Sequence, residues 1–227
     1  MGHILRFILT SVALTFGLAH TATAQDEGTA YMVTYIEVAP SATADAAALL
    51  TAYADASRGA DGNMQFQALQ RIGRSSHFAI LETWRNAEAQ DAHAGSVGAA
   101  SFRDALDPLL YSPADVRLHG DLLTAAGDTA GPDGVFVVTH VDVVPSNTDV
   151  TVELMRTLAS ASRGESGSAR FDVLVQAGRR NHMTVVEAWE SRESRDEHYG
   201  AAHTKTFRGS LAPLAGALYD ERLYSAL

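Results

Sequence analysis

A glutamate, a tryptophan and a histidine recur in this chain at one spacing: Glu82-x-Trp84 with His93 nine residues after the indole, and Glu187-x-Trp189 with His198 nine residues after. Strand alternation puts Phe78, Ile80, Glu82 and Trp84 on one face, and Met183, Val185, Glu187 and Trp189 on the matching one. Each carboxylate therefore shares a largely apolar face with a Trp. Burial of that kind raises a carboxyl pKa toward the range useful for proton transfer, which makes Glu82 and Glu187 candidate acid–base groups. The same position also suits a structural glutamate bonded to backbone or to an arginine. Trp84 and Trp189 read either as walls of an aromatic pocket or as plain core. His93 and His198 are candidate bases. A neutral imidazole can take the proton of a phenol or quinol, and the anion left behind gives an electron to O2 far more readily than the neutral molecule. A helix-capping or interface histidine is the competing reading.

The remaining histidines carry weaker signals. His203 follows His198 by five residues, so on a regular helix the two diverge by about 140°, unlike the i, i+4 pair that binds zinc. Gly200 could bend that helix, but the reading is that no metal and no cofactor is bound. His140 stands where the first half of the chain has Tyr35, on a strand from which either side chain could reach a pocket. His77 and His182 sit at hairpin turns, where exposure is expected. The turns Gly73-Arg74 and Gly178-Arg179 lack the glycine spacing of a nucleotide loop, and there is no nucleophile elbow or Walker signature.

The elements that must position these residues are written twice. Residues 30–122 reappear without a gap as residues 135–227, at a constant offset of 105. Pro40-Ser41 matches Pro145-Ser146, Ser57-Arg58-Gly59 matches Ser162-Arg163-Gly164, and Asp91-x-His93-x-Gly95 matches Asp196-x-His198-x-Gly200. A repeat of this length is a domain, far longer than a solenoid repeat. In each copy, Tyr31–Val38 or Phe136–Val143 reads as a strand, rich in β-branched and aromatic residues. Ala42–Ser57 or Asn147–Ser162 reads as a helix, with Ser41 or Ser146 as N-cap and Gly59 or Gly164 as a left-handed stop. Phe66–Ile72 with His77–Trp84, and Phe171–Ala177 with His182–Trp189, read as hairpins. A helical stretch interrupted near Gly95 or Gly200 follows, then a short strand around Asp115–Leu118 or Asp220–Leu223. The order β-α-β-β-α-β is the ferredoxin-like unit of the α+β class. Its helices cover one sheet face, so the other face needs a partner, and the second copy can supply it.

Between the copies, residues 123–134 are small, polar and glycine-rich, as expected of an exposed linker. Before them, residues 1–24 hold Arg6, the apolar run Phe7–Ala19 and Ala22-Thr23-Ala24, which fits a cleaved secretory signal. That run is short for a membrane span. The expectation is an exported chain, periplasmic or secreted, without stable membrane insertion. A net charge of −10 with no Lys/Arg cluster argues against nucleic acid as a partner. With no cysteine, disulfides, thiolate catalysis and cysteine metal sites are excluded.

The strand ending in Glu-x-Trp and the helical His nine residues later resemble the antibiotic biosynthesis monooxygenase family, whose pattern runs E-x-W and then H-x-x-x-x-H-x-x-x-F. The second copy has Arg163-x-Glu165-x-Gly167, Glu187-x-Trp189, His198, His203 and Phe207; the first has Arg58, Gly62, Glu82, Trp84, His93 and Phe102, but Ala60 and Gly98 replace the counterparts of Glu165 and His203. The resemblance implies two ferredoxin-like units paired as an intramolecular dimeric α+β barrel, each with a small apolar pocket between sheet and helices. It also implies oxidation of quinol-like or polycyclic aromatic molecules with O2, often without metal or flavin; relatives degrade haem. On that reading His198 and His93 are bases, Glu187 and Glu82 orient or donate, and Trp189, Trp84, His140, Tyr35 and His203 contact substrate. The fuller polar set puts most of the expected activity in the second copy. A non-catalytic ligand-binding or stress-response module of the same fold is the other function class that fits.

Overall fold

The runs rich in Val, Ile and aromatic residues become strands, and the alanine- and leucine-rich runs become helices, in one order twice over. The computed structural model of the protein describes residues 28–125, 130–131 and 133–227. The expected leader, residues 1–24, lies outside the described residues, as does part of the expected linker. The first unit contains β1 (Ala30–Glu37), α1 (Thr43–Ser57), β2 (Asn63–Arg71), β3 (His77–Trp84), α2 (Ala87–Ala94), α3 (Val97–Leu106) and β4 (Asp115–Leu123). The second contains β5 (Val135–Asp142), α4 (Thr148–Ser162), β6 (Ser168–Gln176), β7 (Arg179–Trp189), α5 (Arg192–Gly200), α6 (Ala202–Leu211) and β8 (Asp220–Ala226). Among the described residues no helix is long and apolar enough to cross a membrane.

The strands close one barrel in the order β1-β3-β2-β8-β5-β7-β6-β4. Its two seams exchange strands between units. β4 pairs with β1 of its own unit from Ala30↔Gly120 to Tyr35↔Asp115, and its far end pairs with β6 of the other unit through His119↔Gln176. β8 pairs with β5 and then with β2 through Arg71↔Tyr224. The two seams are the same contact at the offset of 105. They also explain why β4 and β8 run past Leu118 and Leu223, and why Leu123 belongs to a strand rather than the linker: the edge of the opposite unit satisfies their backbone groups.

Three apolar clusters follow from strand alternation. One fills the barrel interior with Tyr31, Val33, Leu69, Leu81, Phe136, Val138, Leu174 and Tyr224 from both units. The other two lie between each half-sheet and its helices, around Leu50, Phe66 and Trp84, and around Met155, Phe171 and Trp189. At the interface between units, Arg170 and Asp172 form a buried ion pair at 2.6 Å, and Arg170 also reaches Gln65 of the first unit. His119 is buried in the barrel, 2.9 Å from Thr184 Oγ1 of the other unit, and burial lowers its pKa to about 4.

Local signals differ from the sequence expectation in two places. Ser41 and Ser146 do not cap α1 and α4; each lies in a short 3-10 turn, and Thr43 and Thr148 bond the carbonyls of Pro40 and Pro145 instead. Gly59 and Gly164 are not the left-handed residues. That role falls to Gly62 and Gly167, both at φ 75°. A Cβ on Gly62 would come within 2.5 Å of Ala89 Cβ, so the entry to β2 needs glycine for its backbone and for its close approach to α2.

Candidate functional site

Glu82 and Trp84 leave β3 on the helix-facing side, as alternation requires. Trp84 Nε1 donates to Glu82 Oε2 at 2.8 Å, and both residues are buried. Glu187 and Trp189 repeat the contact at 2.8 Å. Burial raises each carboxyl to about 7, opposed by the indole hydrogen bond. Among the described residues neither glutamate is paired with an arginine; the hydrogen-bond partner of each is the indole two residues on, which is neither the backbone nor the arginine of the structural alternative.

His93 lies near the end of α2, capped at its start by Asn86, whose side chain accepts from Ala89 N at 2.9 Å. Its ring lies over Trp84 with centroids 4.6 Å apart. Nε2 sits 3.0 Å from the Tyr53 hydroxyl and 3.3 Å from Ser57 Oγ, both on α1. Burial lowers the His93 pKa, so the ring is neutral at physiological pH. Burial raises Tyr53 to about 12, with the Glu82 charge adding to the effect, so its hydroxyl stays protonated. Tyr53 in turn stacks on Phe102 of α3 at 3.8 Å.

These groups border a cavity of about 750 Å3 between α1 and the α2–α3 pair. Ala52, Ala56, Ala60, Ala89, Ala92 and Gly98 leave the space; Tyr53, Phe102 and His93 give it a ring-lined wall. This volume suits a small organic molecule. The cavity is lined by first-unit residues, the copy in which the family-like pattern is less complete.

In the second unit the equivalent positions hold bulk. Thr157, Glu165, Ser194, Glu197 and His203 replace Ala52, Ala60, Ala89, Ala92 and Gly98, and Leu158 replaces Tyr53. His198 stacks on Trp189 at 4.6 Å, the same ring separation as the tilted His93–Trp84 pair. Its Nδ1, however, lies 2.6 Å from Glu165 Oε1, and the same oxygen lies 2.8 Å from His203 Nε2. The expected divergence of His198 and His203 does not occur. The helix ends at Gly200, Ala201 is extended at φ −64° and ψ 150°, and α6 starts afresh, which turns the two rings to one carboxylate. The fuller polar set thus closes on itself rather than surrounding an open space.

Other expected site residues lie elsewhere. Tyr35 and His140 point to the barrel side of β1 and β5, away from the helix-facing site. Tyr35 is covered by Arg117 and Arg222, and His140 Nε2 pairs with Asp142 at 3.0 Å. His77 and His182 are half-buried rather than exposed, facing Glu37 at 3.7 Å and Asp142 at 2.5 Å. Tyr53 and Ser57, the partners of His93, went unmarked in the sequence because they lie forty and thirty-six residues away on another helix.

The family model described as antibiotic biosynthesis monooxygenase matches residues 29–105 and again 134–210, the same offset as the repeat. Among solved structures, a candidate monooxygenase from Fusobacterium nucleatum superposes with a TM-score of 0.81 at 14% identity, covering 88% of this chain and 93% of its own. A candidate monooxygenase from Lactobacillus acidophilus gives 0.74 at 14% identity over 88% and 94%. An anthrone oxidase-like protein gives 0.68 at 14% identity over 89% and 92%. At these identities the likeness is one of fold. Comparison with curated proteins gives no significant match. With both halves matched, the chain belongs to the antibiotic biosynthesis monooxygenase family as a tandem pair of units.

Proposed function

We propose that the first unit's cavity binds a small quinol-like or polycyclic aromatic molecule and that the chain oxidises it with O2, His93 acting as base. The observation that carries this reading is the setting of His93: a neutral imidazole, backed by Trp84, whose Nε2 sits at the Tyr53–Ser57 corner of a ring-walled cavity. A substrate hydroxyl that donates to Nε2 in place of Tyr53 can pass its proton there. The freed Tyr53 hydroxyl, protonated throughout, then donates to the oxyanion that forms. The aromatic anion gives one electron to O2, and the radical pair combines at a ring carbon. For a ring CH2, loss of both hydrogens leaves a carbonyl holding one oxygen atom, and the second oxygen departs as water. Glu82 orients the Trp84 indole behind the base.

A polycyclic substrate class also accords with the anthrone oxidase-like protein among the matching folds. The apolar leader supports placing this chemistry outside the cytoplasm. Oxygen uptake by the protein, screened against quinols and hydroxylated polycyclic aromatics with and without haem, tests the reading. Consumption of one O2 per substrate without haem supports it. Saturable binding with no oxygen uptake across the screen would instead leave a ligand-binding module.

A further inference from the structure

We propose that Glu165, His198 and His203 form a binding site for one divalent transition-metal ion of the zinc class. Their ligand atoms lie within 4.8 Å of one another. A zinc ion held at about 2.0–2.2 Å by two imidazoles and a carboxylate separates its ligand atoms by roughly 3.3 Å. His198 Nδ1 and His203 Nε2 lie 2.6 and 2.8 Å from Glu165 Oε1, so each N···O separation must open by roughly 0.5–0.7 Å to admit the ion. Two nitrogens and one oxygen suit zinc, cobalt or nickel rather than calcium or magnesium.

The surroundings are arranged as such a site requires. The far nitrogen of His198, Nε2, faces Glu187 Oε2 at 3.8 Å, and that oxygen is fixed by Trp189 Nε1 at 2.8 Å. At 3.8 Å the His198–Glu187 contact is an ion-pair separation and not a hydrogen bond, so the carboxylate places negative charge behind the imidazole. Ring stacking on Trp189 holds the His198 plane. His203 reaches the group only because α5 stops at Gly200 and α6 restarts at Ala202. Three protein ligands leave a fourth position for water.

The first unit is an internal control, because it keeps the counterparts of His198, Glu187 and Trp189 but has Ala60 and Gly98 for the other two ligands. The proposal therefore concerns the second unit alone and does not rest on the reaction assigned to the first. The ion would tie the segment at Glu165 to the break between α5 and α6.

The test is titration of chelator-treated full-length protein with zinc or cobalt alone, following stoichiometry, the cobalt d–d absorption and the melting temperature. One equivalent should bind, with the intense visible bands of low-coordinate cobalt and a rise of several degrees in melting temperature on zinc addition. Glu165→Ala and His203→Gly, which install the residues of the first unit, should each weaken binding at least 100-fold with the fold intact. His182→Ala, in the separate His140–Asp142–His182 group, should leave it unchanged. Absence of stoichiometric binding, survival of binding in both ligand variants, or loss only in His182→Ala would overturn the proposal.

Discussion

The Tyr53 hydroxyl lies 3.0 Å from His93 Nε2, whereas the second unit has Leu158 at that position and its histidine turns to Glu165. The exchange of Tyr53 for Leu158, together with Ala60 and Gly98 for Glu165 and His203, separates two copies that share the Glu-x-Trp-to-His frame. The first histidine borders a cavity with a protonated phenol beside it; the second is bound to a carboxylate and a further histidine.

Tyr53→Phe keeps the ring that stacks on Phe102 and removes the donor to a developing oxyanion. Hydrogen bonds to charged groups are worth about 1.5–3 kcal/mol, so kcat should fall roughly 10–100-fold with KM little changed. Steady-state kinetics on the best substrate of the oxygen-uptake screen measures this.

Rebuilding the first cavity in the image of the second should close it. The double variant Ala60→Glu, Gly98→His places in the first unit the two side chains that occupy this region of the second. Ligand binding, followed by Trp84 fluorescence in a Trp189→Phe background, should be lost. The circular dichroism spectrum should not change, because the second unit folds with these residues.

How much of this was legible in the sequence depends on the range of the interaction. The offset of 105 and the β-α-β-β-α-β order specified the barrel, and alternation placed Glu82 and Trp84 on one face, because both signals are local or repeat-wide. The strand exchange at Leu123 and Tyr224 depends on edges supplied by the opposite unit, which no local pattern records. Regular-helix geometry sets His198 and His203 apart; the break at Gly200, which the sequence offers only as a bend, is what brings them together. Ser96 in the first unit was the available clue, since its side chain accepts from Ala99 N and starts a new helix after Gly95.

Glu82→Gln should change the pH dependence of stability. The folded-state pKa is raised to about 7 from 4.5 by burial, so between those values the native state holds a proton that the unfolded state has lost. Wild-type stability therefore declines as pH rises through this window, and the amide does not titrate. The advantage of Glu82→Gln over wild type should grow by up to about 3 kcal/mol between pH 4.5 and pH 8. Denaturant melts at the two pH values measure it; an advantage independent of pH would contradict the assignment.

Stability should depend on the buried ion pair between Arg170 and Asp172, both on β6; the Arg170 guanidinium also reaches Gln65 of the other unit. Asp172→Ala leaves a buried guanidinium without its carboxylate, a change that costs about 3–5 kcal/mol. The melting temperature should drop by on the order of 10 °C, and thermal denaturation checks this.

The most direct test of the account compares turnover by His93→Ala and His198→Ala once a substrate is found. Removal of a general base typically costs 10²–10⁴-fold. The account predicts that loss for His93→Ala, while His198→Ala, its circular dichroism intact, retains most of the wild-type rate. Equal losses in the two variants, or the larger loss in His198→Ala, would contradict it.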